Sequence, residues 1–258
     1  RRGENPVTRS LGVIVARGAS KRIPRKVVRP LLGAPLLCWV GQAARASNLD
    51  RVIVSTEDEE IAGVARAWGF DVPFLRPETL ADDFIGPDAV LLHALEMLGQ
   101  GGGEEFEFVA LIQPTAPFIT PDHINACLDQ LDGTDACCSF IARQVSEPPQ
   151  WMFRDTGDGA VELMMAGDLA GDRQHTQLVE PALLPAGAVW VVRRTVLEHE
   201  RRIYVAPMRA VVVARERAVD IDEEYDFIVA EAMARHHEFA PPTRSSSVVD
   251  ARGSGDFG

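Results

Sequence analysis

The sequence predicts an α/β fold in which a mostly parallel sheet carries helices on both faces. Two observations point there. Short apolar runs alternate with amphipathic helical stretches through the first 141 residues, which is the rhythm of βαβ units. The opening run, Leu11 to Ala16, is apolar and leads into a glycine-containing turn, as expected of a strand buried on both faces.

The elements follow in order. After the strand at 11–16, residues 34–47 place Leu36, Leu37, Val40 and Ala44 at helical spacing. Arg51 to Ser55 reads as a second strand, Asp58 to Trp68 as a helix stopped by Gly69. Val72 to Leu75 reads as a short strand, Asp88 to Leu98 as an amphipathic helix, and Gln100 to Glu105 as a glycine-rich surface loop. Phe108 to Ile112 is a third long strand. Thr120-Pro121 supplies an N-cap and a first-turn proline for a helix reaching Leu131. Ala136 to Ile141 is a further strand.

The rhythm then breaks. Residues 143–185 are rich in Pro, Gly and Asp and read as an inserted excursion, a lid or a dimer arm. Strands return at Gly187 to Val192 and Ala210 to Ala214, and a helix runs from Glu223 to about His236. The expected organisation is an N-terminal extension over 1–10, one domain over 11–240 and a disordered tail over 241–258.

Composition excludes several classes. A net charge of −12 argues against nucleic acid or anionic membrane surfaces as partners, because phosphates repel such a chain. No apolar run approaches the roughly 20 residues of a membrane span, and the polar start has no signal-peptide core. Cys38, Cys127, Cys137 and Cys138 fit neither zinc nor disulfide spacing. Buried free thiols and a reducing cytoplasm are expected.

Two features carry chemistry. Six of the 26 Lys and Arg residues lie between Arg17 and Arg29: Arg17, Lys21, Arg22, Arg25, Lys26 and Arg29. They sit just past the carboxyl end of the first strand, where open α/β sheets bind ligands. Guanidinium forks and a mobile ammonium suit phosphate oxygens. The plain alternative is a solvated loop paired with acidic helices. The loop is neither a Walker A motif nor a Gly-x-Gly-x-x-Gly fingerprint. The second feature is Asp220-Ile221-Asp222. In extended chain the two aspartates share a face while Ile221 turns inward. Paired hard oxygens suit Mg²⁺ bridging to phosphates. The alternative is that Asp222 merely caps the helix after it.

Ala16 to Lys26 (Ala-Arg-Gly-Ala-Ser-Lys-Arg-Ile-Pro-Arg-Lys) resembles the opening signature of the CMP-N-acylneuraminate synthetase family. Arg51 to Ile61 is similar to its second strand and following helix. Phe74 to Pro77, Asp82-Asp83, His93 to Leu95 and Gln113 to Pro117 resemble later family segments, and Asp220-Ile221-Asp222 sits where the family has its metal-binding aspartates. The resemblance runs from about residue 11 to 235. It implies a Rossmann-like fold of the nucleotide-diphospho-sugar transferase type. It also implies transfer of CMP from CTP to the anomeric hydroxyl of an acidic 2-keto sugar, in a homodimer formed through the 143–185 segment.

Position by position, the resemblance implies that Arg17 and Lys21 hold the CTP phosphates and act in catalysis. Ala16, Gly18, Ser20, Arg22, Lys26 and Arg76 would line the nucleotide site. Gln113 would reach the sugar or ribose. Arg173, with Gln174, would meet the sugar carboxylate. Asp220 and Asp222 would bind Mg²⁺ or Mn²⁺; if Asp220 is not a ligand, it is a candidate base. Departures from the family pattern occur at Val27, Gly86-Pro87, Ile119 and Ala186-Gly187. Thr115 to Phe118, Asp82 to Phe84 and Glu147 to Trp151 look more like the pseudaminic or legionaminic branch. Two rivals stay open: a cytidylyltransferase for the eight-carbon keto acid Kdo, and a non-catalytic nucleotide-binding relative. Core or structural roles are expected for His93, Trp39, Trp68 and Trp190.

Overall fold

The computed structural model describes residues 10–100, 103–165 and 180–244. β1 (Ser10–Val15) leads through the basic loop to a small ribbon, β2 (Pro30–Leu31) and β3 (Ala34–Pro35), and to α1 (Leu36–Arg45). β4 (Arg51–Ser55), α2 (Glu59–Ala67), α3 (Pro87–Gly99), β5 (Phe108–Ile112), α4 (Pro121–Asp129) and β6 (Cys138–Gln144) follow. A hairpin, β7 (Phe153–Asp155) and β8 (Val161–Leu163), precedes β9 (Leu183–Arg193), α5 (Arg194–Glu200), β10 (Met208–Val212) and α6 (Glu224–His236).

The central sheet has the order β10-β6-β9-β5-β1-β4. Five strands run one way and β9 runs against them between β5 and β6. Side chains alternate across the sheet as the strand period demands. Leu11, Val13, Val109, Leu111, Trp190 and Val192 face one layer with Leu91, Ala94 and Leu197 of α3 and α5. Ile14, Ala110, Ile112, Val189 and Val191 face the other, against α1, α2, α4 and α6. The mostly parallel sheet covered on both faces is therefore as the sequence predicts.

The differences have local causes. Val72 to Leu75 is not a strand: the chain follows β4 with one bridge, Ile53 to Asp71, and one hydrogen bond from Arg76 N–H to the Thr56 carbonyl. Pro73 has no N–H to continue that pairing. The first helix begins at Leu36 rather than 34, because Ala34 and Pro35 close the ribbon onto Leu31 and Pro30. β6 and β9 extend into the expected excursion, pairing Gln144 with Leu183. The tail does not leave the body at Pro241. Pro242 is buried and the Arg244 guanidinium lies over the Trp68 ring. The rest of the tail, the N-terminal extension to Arg9 and residues 166–179 lie outside the described residues.

Cys38, Cys127 and Cys138 are buried free thiols, and Trp39, Trp68 and Trp190 are core residues. Among the described residues no helix is long and apolar enough to cross a membrane.

α4 depends on a neutral imidazole. His123 Nδ1 accepts the Thr120 N–H at 3.2 Å, satisfying a donor at the helix start. Burial, with Arg217 adding, lowers the His123 pKa below its ordinary value. A lowered folded-state pKa means that the contribution is fully present above the unfolded value of about 6.5. It is lost as pH falls through the folded value. The thermal midpoint should therefore fall between pH 7 and pH 5, and less steeply in His123→Gln; equal slopes in the two proteins would show that His123 is not responsible.

Candidate active site

The parallel strands β1, β4 and β5 end side by side, Ile14 beside Val54 and Ile112. The segments that leave their carboxyl ends carry the chemistry: the basic loop after β1, Thr56 to Asp58 after β4 and Gln113 to Thr115 after β5. A hydrogen bond of 2.8 Å from the Ile221 N–H to the Thr115 carbonyl brings the aspartate segment to the same edge. Between them lies a pocket of about 590 Å³. Its walls include Arg17, Ser20, Lys21, Arg22, Lys26, Arg76, Gln113, Asp220 and Asp222.

The basic loop divides into three parts by partner. Arg17 Nη1 and Lys21 Nζ meet the two oxygens of one carboxylate, Asp83, at 2.6 and 2.5 Å. Lys26 Nζ donates to the Ile221 carbonyl at 2.8 Å and to Asp222 Oδ1 at 3.1 Å, and Arg22 reaches the same Oδ1 at 3.3 Å. Arg25 pairs with Asp58 and Glu60, and Arg29 pairs with Glu224 while lying over the Phe227 ring. Arg25 and Arg29 thus take the plain structural role, tying the loop to α2 and α6. Four cations remain on the pocket wall. Hydrogen bonding to Asp83 raises the Lys21 pKa, and the same bonds hold the Asp83 carboxyl below the usual carboxylate range.

Ile221 is fully buried, and Asp220 and Asp222 flank it on the pocket side. Asp222 is not the helix cap. Glu223 occupies that position, and Asp226 accepts the N–H groups of both Asp222 and Glu223. Burial raises the Asp220 pKa; Thr115 and Lys26 oppose the rise, while Asp222 and Asp226 add to it. Asp220 also packs against the backbone of β9. Gly187 has φ +61, and a Cβ there would stand 2.3 Å from Asp220 Oδ2, so the strand leaves room for the carboxylate only with glycine at this position.

No group of three or more His, Cys, Asp or Glu side chains among the described residues forms a metal cage. The pair nevertheless suits a hard divalent cation. Such ions are commonly held by one or two carboxylates, with phosphates and water completing the shell. A cation would also offset the burial that raises Asp220 and the repulsion from Asp222 that adds to it.

Two expected contacts fall elsewhere. Ala16 is fully buried with its N–H on the Ser55 carbonyl at 3.0 Å, so it sits behind the wall rather than on it. Gly18 gives its N–H to Glu57 Oε1 at 2.7 Å. Arg76 is on the wall, but its guanidinium is held by Glu57 at 2.7 Å and the Ser55 carbonyl at 3.2 Å. Arg173 and Gln174 lie outside the described residues. Sequence reasoning included Asp83, Glu57, Thr115 and Gly187 in longer segments but gave none of them a role of its own. Asp83 had a visible signal, an acidic pair in a chain whose basic loop needed a counter-charge. The others are recognisable only once the chain is folded.

Residues 11–153 match the family model described as cytidylyltransferase. The pseudaminic acid cytidylyltransferase of Campylobacter jejuni subsp. jejuni serotype O:2 is 29% identical over 234 residues, 90% of this chain and 99% of that protein. The CMP-N,N'-diacetyllegionaminic acid synthase of Legionella pneumophila subsp. pneumophila is 28% identical over 229 residues, 87% and 96% of the two chains. A solved CMP:2-keto-3-deoxy-manno-octonic acid synthetase complexed with CTP shares the fold at TM-score 0.66 and 15% identity, over 89% of this chain and 99% of that one. With more than half of its length under the family model, this chain belongs to the cytidylyltransferase family.

Proposed function

We propose that the chain transfers CMP from CTP to the anomeric hydroxyl of an acidic 2-keto sugar of the nonulosonate class and releases pyrophosphate. The observation that carries this is the convergence of the loop after β1 with the aspartate segment. Lys26 and Arg22 meet Asp222 directly, and Asp220 lines the same cavity. Relatives named for pseudaminic and legionaminic acids support the sugar class.

In this reading Arg17 and Lys21 exchange Asp83 for triphosphate oxygens. Arg22 and Lys26 hold the other side of the phosphate chain beside Asp222. The sugar hydroxyl forms a new O–P bond to the α-phosphorus while the bond to the β-phosphate oxygen breaks, and pyrophosphate carries away the electron pair. Such a displacement needs mainly alignment and neutralised charge. Asp220 and Asp222 would hold Mg²⁺ or Mn²⁺, which would neutralise phosphate charge and lower the pKa of the attacking hydroxyl. The hydroxyl proton passes to water, or to Asp220 if that carboxylate is not a metal ligand. Gln113 and Ser20 line the pocket, where Gln113 would meet the ribose or sugar and Ser20 a phosphate oxygen.

A homodimer fits the exposed apolar side chains between Met152 and Leu184: Met152, Phe153, Val161, Met164, Met165, Leu183 and Leu184. Exposed apolar side chains that lie together on a surface mark an interaction site, which is the role proposed for this segment. Sedimentation should give twice the monomer mass. Free cysteines support a cytoplasmic location.

The direct test is pyrophosphate release with CTP, Mg²⁺ and a panel of acidic 2-keto sugars of eight and nine carbons. Release with a nine-carbon sugar is expected; CTP binding without release from any of them would instead favour the non-catalytic reading. Lys21→Ala should lower turnover by about 100-fold or more with the thermal midpoint unchanged, and near-normal turnover would remove Lys21 from catalysis. Asp222→Asn should shift the Mg²⁺ titration to higher concentration; an unmoved titration would count against the metal assignment. Asp83→Asn removes the carboxylate that competes with triphosphate. Calorimetry should show CTP binding tighter by about fivefold, and unchanged or weaker binding would show that Asp83 is not displaced.

A further inference from the structure

The basic loop is held in place from behind by two consecutive acids that the proposed chemistry does not use. Glu57 follows β4. Its Oε1 accepts the Gly18 N–H at 2.7 Å and its Oε2 accepts from Arg76 Nη2 at 2.7 Å. Both side chains of this ion pair are withdrawn from solvent, Arg76 at 1% and Glu57 at 11% exposure. Asp58, the next residue, caps α2 through the Ile61 N–H and accepts both ends of the Arg25 guanidinium. A Cβ on Gly18 would stand 2.5 Å from Asp58 Oδ2, so the loop backbone lies directly on this acidic shelf.

Stability alone does not account for the buried pair. Replacing such a pair by apolar residues of similar volume is often neutral or stabilising. What the pair supplies is geometry. Its two carboxylate oxygens face two donors, one from the loop that carries Arg17 and Lys21 and one from Arg76, which also lines the pocket. Only an ionised carboxylate offers two acceptors here. A glutamine would turn its NH₂ toward one of the two donors.

We propose that Glu57 is a positioning residue of the nucleotide site: it ties the Gly18 turn to Arg76 and so fixes where Arg17 and Lys21 present their charges. The proposal rests on reading the pocket as a CTP site only for its functional consequence; the tethering itself is independent of ligand. Glu57 touches no substrate in this scheme. Its loss displaces the cations and weakens nucleotide binding, while the sugar's own contacts stay in place.

The test compares the full-length protein with Glu57→Gln and with the double variant Glu57→Leu/Arg76→Leu. The double variant leaves no uncompensated buried charge and covers the case in which the single variant fails to fold. Amide hydrogen exchange over residues 16–25 reads the tether without nucleotide. Calorimetry with CTP and the KM values for CTP and sugar read its consequence. Faster exchange confined to that loop is expected, with CTP binding weaker by about tenfold and the sugar KM within about twofold. A folded variant whose loop exchange equals that of the unsubstituted protein would overturn the proposal. So would faster exchange with unchanged CTP affinity. Failure of the unsubstituted protein to bind CTP would instead overturn the reading of the pocket, and the exchange comparison would still decide whether Glu57 holds the loop.

Discussion

The site depends on one charge neutralisation across the chain. Lys26, largely withdrawn from solvent, places its ammonium on the Ile221 carbonyl and the Asp222 carboxylate, 195 and 196 residues away in sequence. A half-buried ammonium needs acceptors, and a carboxylate pair needs counter-charge. Each solves the other's problem, and the solution holds the loop after the first strand against the segment before the last helix. The pocket is the space this cross-link leaves open.

The sheet makes the cross-link possible. Parallel strands deliver their carboxyl ends to one edge, so three separate loops meet there without any one of them being long. β9, the antiparallel strand, contributes something else. It runs into the sheet between β5 and β6, and at Gly187 its backbone lies against the Asp220 carboxylate. A residue with a side chain at that position would push the carboxylate away from the pocket. Apolar layers cover both faces of the sheet behind this edge, with Val13 and Leu111 closed off from water on one side and Ile14 on the other.

Electrostatics sorts residues that look alike in the sequence. Arg25 and Arg29 are consumed by acids of α2 and α6 and serve the fold. Arg17 and Lys21 share the single exposed carboxylate of Asp83, a bond that solvent weakens and a more highly charged anion can replace. Acidic residues sort in the same way. Asp226 satisfies backbone donors at the start of α6, which frees Asp222 for the pocket.

The sequence by itself determined the layers and the chemical candidates. Short, nearly continuous apolar runs specified the strands Leu11 to Ala16, Arg51 to Ser55 and Phe108 to Ile112, because a strand covered on both faces needs apolar side chains pointing both ways. The same local logic placed the basic loop at a strand end and put Asp220 and Asp222 on one side of Ile221. Tertiary structure alone decided which cations face the pocket, that Glu57 rather than solvent receives the Gly18 N–H, and that Ala16 lies behind the wall. It also decided that Val72 to Leu75 follows the sheet edge without joining it. Those outcomes depend on partners tens to hundreds of residues away, and a charge or a hydrogen-bonding group carries no local mark of the partner it will meet.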